Sequence, residues 1–214
     1  MANDYNYAKY KAMSEIVQII TQSYDRYFLI GNSAVFYAYG GKKEVYDTLE
    51  YDAYYDDESL ENTFKAYIKD SLGCDLRVAR RTESKGIYHI FRDGIRLCKI
   101  VVNYYNCLPE VGMGAYYGYI RTVNGSKIID SLMNSWKVKK DALTLYNLYY
   151  MFSVYSYTIN THYFKKVRNM LKKYGLSRIE NLLRTDSTTR LSEDKYTEVL
   201  TFCKNAVSGS IVGK

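Results

Sequence analysis

Glu50 and Asp52 stand two residues apart in a stretch, Leu49 to Tyr55, where apolar and polar positions alternate. A strand is the natural reading of that alternation. It brings both carboxylates out on one face, roughly 6 to 7 Å apart at the backbone. Like charges held that close repel, and a fold tolerates them when a cation sits between. Magnesium, or manganese in its place, takes hard oxygen ligands and keeps room for substrate phosphates. Upstream, Tyr27-Phe28-Leu29-Ile30 is continuously apolar and ends at Gly31, which is how a strand buried on both faces reads. Asn32-Ser33 then lead into Ala34 to Tyr39, a short helix capped by Asn32 or Ser33 and stopped by Gly40-Gly41. A glycine turn at a helix start presents backbone N–H groups, which suit a phosphate. Alone, a Glu-x-Asp on an edge strand is usually a solvated face. The ordered combination favours a site, because it brings metal, triphosphate and backbone donors together as metal-assisted nucleotidyl transfer requires.

A second constellation is basic. Between His162 and Ile179 stand Lys165, Lys166, Arg168, Lys172, Lys173 and Arg178, with no acid among them. The spacing puts them opposite an apolar stripe of Phe164, Val167, Met170, Leu171 and Tyr174. Such a face can grip a phosphate backbone, with Tyr163 and Tyr174 near for stacking. A charge run of this kind is more often a soluble helix face; the missing acids favour polyanion contact.

The elements that must position these residues divide into two kinds. The first half reads as mixed α and β. A helix over 5–23 carries Met13, Ile16, Val17 and Ile20 at helical spacing. After the strand bearing Glu50 and Asp52 come a helix over 58–71 and strands over 76–80, 86–92 and 95–104. Asp93-Gly94 marks a hairpin between the last two. From about Ser126 the pattern is helical: 127–136, then 138–157, apolar nearly all round and so buried. Helices over 161–174, 177–184 and 192–206 follow, and 208–214 reads as a frayed tail. The predicted architecture is α+β: a domain over 1–122, a helical domain over 123–207 and a flexible tail over 208–214.

Composition sets the outer bounds. The chain has 214 residues, 47% of them hydrophobic, enough to bury a core without staples. Residues 1 to 120 carry 14 Lys and Arg against 16 Asp and Glu; residues 121 to 214 carry 16 against 7. The second half is therefore the one expected to meet a polyanion. Cys74, Cys98, Cys107 and Cys203 form no C-x-x-C pair and stand far from His89 and His162, which argues against zinc. They read as buried thiols of a cytoplasmic protein, and both histidines as structural. No signal peptide or membrane span is expected. The 26 tyrosines suit strands and half-buried surfaces.

The run Leu29-Ile30-Gly31-Asn32-Ser33-Ala34-Val35, followed by Thr48-Leu49-Glu50-Tyr51-Asp52, resembles the signature of the nucleotidyltransferase superfamily. The usual pattern is a hydrophobic residue, Gly, then Gly or Ser, and later an Asp-x-Asp strand. It is most similar to the AbiEii-like group, toxins of bacterial toxin–antitoxin and phage-abortive systems. Ser126-Lys127-Ile128-Ile129 and Lys139-Lys140-Asp141-Ala142-Leu143 stand where that group has a helix lysine and a basic-Asp pair opening a buried helix. The resemblance covers residues 27 to 155 in outline. It implies a nucleotidyltransferase-fold mixed sheet with flanking helices, then a helical C-terminal domain, with an NTP in the cleft between. Glu50 and Asp52 would hold Mg2+ (or Mn2+). Gly31, Asn32, Ser33, Lys127 and Lys140 would hold the nucleotide, and Asp141 would act as base or orienter. The basic helix, Lys165, Lys166, Arg168, Lys172 and Lys173, would bind the acceptor: RNA, a tRNA first, with a protein side chain second. An antitoxin partner would follow from a toxin role.

The sequence also departs from the pattern. Asn32 replaces the second Gly and Glu50 the first Asp. The strand that supplies a third carboxylate in many members offers Val101 or Asn103 instead, and Thr144 stands where a second Asp would follow Asp141. These departures leave open a one-metal enzyme or a non-catalytic nucleotide- or RNA-binding relative. A plain interaction protein with a tyrosine-rich surface is the third reading.

Overall fold

The alternating and continuous apolar runs fold into one mixed sheet. In the computed structural model the described residues are 2–23, 26–39, 48–54, 59–107, 111–114, 120–139 and 141–155, with 169, 201 and 203–205. The elements are α1 (Ala2–Ser23), β1 (Tyr27–Leu29), α2 (Gly31–Tyr39), β2 (Thr48–Tyr54), α3 (Ser59–Leu72), β3 (Asp75–Thr82), β4 (Lys85–Arg92), β5 (Ile95–Tyr105), β6 (Val111–Gly114), β7 (Ile120–Val123), α4 (Gly125–Lys139) and α5 (Ala142–Tyr155). Among the described residues the sheet has seven strands in the order β3-β4-β5-β2-β1-β7-β6. β2 runs parallel to β5, and β1 parallel to β7; the other neighbours are antiparallel.

The core follows from the residue patterns. Met13, Ile16 and Val17 of α1 are fully buried, as their helical spacing requires. All three residues of β1 are buried, which suits a central strand covered on both faces. On β2, Leu49, Tyr51 and Ala53 are buried while Glu50, Asp52 and Tyr54 are half-buried. On the core face the Tyr88 and Tyr104 hydroxyls share a hydrogen bond of 2.6 Å. Burial, then the Tyr104 and Tyr88 hydroxyls, push the Tyr27 phenol far above its ordinary range. Gly86 leaves the room this pair needs, since a Cβ there would meet the Tyr88 and Tyr104 hydroxyls.

The chain divides into two compact units, Met1–Tyr39 with Lys43–Asn124, and Gly40–Lys42 with Gly125–Lys214. The first holds the sheet. In the second, α4 buries Ile128, Ile129 and Leu132, and α5 buries Leu145, Leu148 and Met151.

Several boundaries differ from the sequence reading. Strands β6 and β7 were not expected; they are four residues each, and Gly112 and Gly114 interrupt the apolar pattern of β6. Helix α5 begins at Ala142 rather than 138, because Val138 is 83% exposed and closes α4 instead. Cys107, expected buried, lies exposed after β5, whereas Cys74, Cys98 and Cys203 are buried. Burial pushes the Cys203 thiol up to about 12. Apart from the few helical positions at 169, 201 and 203–205, the helices expected over 161–206 and the tail lie outside the described residues. No described helix is long and apolar enough to cross a membrane.

Candidate active site

The site is built where β1 ends, α2 begins and β2 passes alongside. Gly31 opens α2 with φ of +62°, a left-handed conformation that costs a residue with a Cβ about 1–2 kcal/mol. A Cβ there would also collide with the Glu50 Oε2. A side chain at this position would thus meet both a backbone cost and a displaced carboxylate, and the Glu50 carboxylate lies directly over the turn. Backbone bonds fix that approach. The Ile30 N–H donates to the Glu50 carbonyl (2.9 Å) and the Ala34 N–H to the Ile30 carbonyl (3.2 Å).

Ser33 braces the same junction from inside. It is 1% exposed. Its hydroxyl donates to the Ile30 carbonyl at 2.9 Å and accepts the Glu50 N–H at 3.1 Å. The sequence suggested a helix cap or a phosphate ligand. The structure instead starts α2 at Gly31 and turns the hydroxyl inward, where it ties α2 to β2. Asn32 is also buried. Replacing Ser33 by Ala is expected to cost about 1 kcal/mol, since the part-buried Glu50 N–H loses its acceptor; urea denaturation measures it.

Asp52 projects from the same face of β2 as Glu50. Parallel pairing sets Glu50 beside Val101 and Asp52 beside Asn103. The Asn103 Nδ2 donates to Asp52 Oδ1 at 3.0 Å. The position that offers a third carboxylate in the resembled pattern therefore supplies a neutral donor. It steers Asp52 without adding charge. Nearby, burial and then the Asp52 charge push the Tyr105 phenol above its ordinary value. Sequence reasoning missed this role of Asn103; the alternation of β5 carried a signal, but only with the register in hand.

Among the described residues no group of three or more His, Cys, Asp or Glu side chains could hold a metal. Glu50 and Asp52 are two carboxylates on one face of β2. Two hard carboxylates fit a magnesium or manganese ion that completes its shell with water and substrate phosphates.

Lys127 and Asp141 lie in the second unit. Lys127 is exposed in the first turn of α4. Asp141 is half-buried and caps α5: its Oδ1 accepts the Thr144 N–H (2.9 Å) and its Oδ2 the Thr144 hydroxyl (2.8 Å). Thr144, the apparent departure from the resembled pattern, is the partner of this cap. Asp141→Ala should lower stability by about 1 kcal/mol, and Asp141→Ser should recover most of it. Chemical denaturation of the three proteins checks this. Lys140, Lys165, Lys166, Arg168, Lys172 and Lys173 lie outside the described residues.

With this geometry in view, the likeness to solved structures is informative. JHP933 from Helicobacter pylori aligns with a TM-score of 0.64 at 16% identity, covering 95% of this chain and 92% of that one. MenT4, a nucleotidyltransferase toxin from Mycobacterium tuberculosis, aligns with a TM-score of 0.52 at 13% identity, covering 95% and 92%. A nucleotidyltransferase-like antigenic protein from Paracoccidioides brasiliensis aligns with a TM-score of 0.52 at 10% identity, covering 81% and 93%. No family model and no curated protein sequence matches the chain. The chain has the nucleotidyltransferase fold.

Proposed function

We propose that the protein is a nucleotidyltransferase that moves a nucleoside monophosphate from an NTP to an acceptor hydroxyl. The observation that carries this is the Glu50 carboxylate packed on the Gly31 turn, with Asp52 beside it on the same strand face. Glu50 and Asp52 would hold a divalent cation, magnesium or manganese. When bound, that ion neutralises phosphate charge and polarises the reacting phosphorus centre. The start of α2, at Gly31 and Asn32, carries the positive end of a helix dipole, which favours a phosphate there. Asn103 holds the Asp52 carboxylate in one orientation. In the reaction, the acceptor oxygen bonds to the α-phosphorus and the bond to the β-phosphate bridging oxygen breaks. Pyrophosphate leaves, and the hydroxyl proton passes to water.

RNA is the acceptor we favour, a tRNA first, on the resemblance to the AbiEii-like group and the basic second half of the chain. The likeness to the MenT4 toxin supports a toxin role, hence an antitoxin partner, in the cytoplasm where NTPs are supplied. By the same resemblance Lys127 would bind triphosphate and Asp141, beyond its cap, would orient the acceptor. A second reading, a non-catalytic nucleotide- or RNA-binding relative, is favoured by one observation: an amide, Asn103, occupies the place of a third carboxylate. Incubation with each α-labelled NTP, magnesium and total RNA separates the two. Label in RNA is the expected result. No label from any of the four NTPs, on RNA or protein, sinks the enzyme reading.

A further inference from the structure

The outer part of the sheet carries a pattern that the carboxylate pair does not explain. Register rows cross four strands on the face that bears Glu50 and Asp52. One row runs Arg77, His89, Lys99, Thr48; the next Arg80, Ile87, Val101, Glu50; the third Thr82, Lys85, Asn103, Asp52. Beyond the first row, Arg96 pairs with Phe91, and Phe91 with Asp75. Each full row spans three strand spacings, about 14 Å. Arg77, Arg80, Lys85 and Arg96 are exposed, and Lys99 and His89 partly so. The opposite face of β4 and β5 is core: Tyr88, Ile90, Ile100 and Val102 are buried. The acids of this meander, Asp75, Glu83 and Asp93, stand at strand ends and turns.

Aromatic rings sit among these charges. The Arg77 guanidinium lies 4.4 Å over the Phe91 ring. His89 meets Phe91 edge-on at 6.3 Å. Burial, then Arg96 and Lys99, hold the His89 pKa below its ordinary value, and the ring is partly exposed. Cations that track a backbone, interleaved with rings that take bases, are what a single strand of nucleic acid needs. An acidic protein would use the cations and gain nothing from the partly exposed His89 ring beside them.

We propose that the β3–β5 face is the docking platform for a single-stranded RNA acceptor, which it leads toward Glu50 and Asp52. The direction is set by the rows, since two of them end on the carboxylate pair. This rests on the transfer reading above for what happens at that end, but not for binding itself.

The test is fluorescence anisotropy of the full chain with a short labelled single-stranded RNA, across a salt series, in EDTA. Arg77→Glu with Arg80→Glu should weaken binding at least tenfold and flatten the salt slope by about 1.4, two contacts' worth on a single strand. Arg96→Glu with Lys99→Glu, on the neighbouring strand, should weaken it comparably; it serves as the independent pair should the first lose its fold by circular dichroism. Unchanged RNA affinity in folded charge-reversed chains overturns the platform even if label transfer is found. Binding that these pairs abolish, with no transfer under any condition, upholds the platform and overturns the transfer reading. Tighter binding of a polyglutamate peptide than of RNA overturns the platform in favour of an acidic protein partner.

Discussion

Replacing Asp52 by Asn will lower label transfer by about 10³-fold or more, roughly 4 kcal/mol of transition-state stabilisation, as removal of half a cation's protein ligands should. The change is nearly isosteric. The substituted amide keeps an oxygen for the Asn103 N–H that now bonds Asp52 at 3.0 Å, so the strand face should stay as it is. In EDTA the variant should melt no lower than the wild type. Two like charges on adjacent same-face positions repel, and losing one returns a fraction of a kcal/mol at a half-exposed site. Added magnesium with a non-hydrolysable NTP should then reverse the order. A ligand that binds only the folded chain at about 100 times its Kd adds about 2.7 kcal/mol, and only the wild type should gain it. Melting curves with and without the ion and nucleotide, beside the transfer assay, give both halves. Wild-type transfer by the variant, or equal ligand-induced shifts in both proteins, would remove Asp52 from the site.

What the sequence disclosed about this site, and what it hid, divides by range. Glu50 and Asp52 could be placed on one face because alternation is local: Leu49, Tyr51 and Ala53 had to go inward. Gly31 could be singled out because it ends an apolar run. The amide that orients Asp52 could not, since Asn103 lies 51 residues away and meets it only through parallel pairing. The inward turn of Ser33 was hidden for the same reason: its partner is the Glu50 backbone, 17 residues on. Strands β6 and β7 are too short for a period to show, although β7 pairs with β1 beside the site through Leu29 and Thr122. The α4–α5 break misled because Val138 looked like the first apolar residue of a buried helix. The basic rows needed the registers of four strands at once. The fold class survives such gaps because it depends on many weak periodicities; the details of a site depend on single long-range contacts.

Two glycines with nearly the same backbone allow the site's steric demand to be measured apart from its backbone demand. Gly31 has φ of +62° and Gly73 has φ of +59°. Gly73 closes α3: its N–H donates to the Lys69 carbonyl, the 5→1 bond of an αL ending, and the Cys74 N–H donates to the Ile68 carbonyl. A Cβ at Gly73 would meet nothing within 4 Å, whereas one at Gly31 would strike the Glu50 carboxylate. Gly73→Ala should therefore cost only the left-handed backbone term, about 1–2 kcal/mol, and leave transfer unchanged. Gly31→Ala carries the same term plus the collision. The Glu50 carboxylate is the far end of a flexible side chain, so it can swing aside and the fold should survive with little more than the Gly73→Ala loss. The displaced oxygen is the one proposed to hold the cation. Misplacing a catalytic group by about 1 Å costs on the order of 10²-fold, so activity should fall that far in Gly31→Ala while stability barely separates the two variants. Denaturation curves and transfer rates on both proteins decide it. Equal rates in the two variants would mean that the contact between Gly31 and Glu50 constrains the backbone and nothing more.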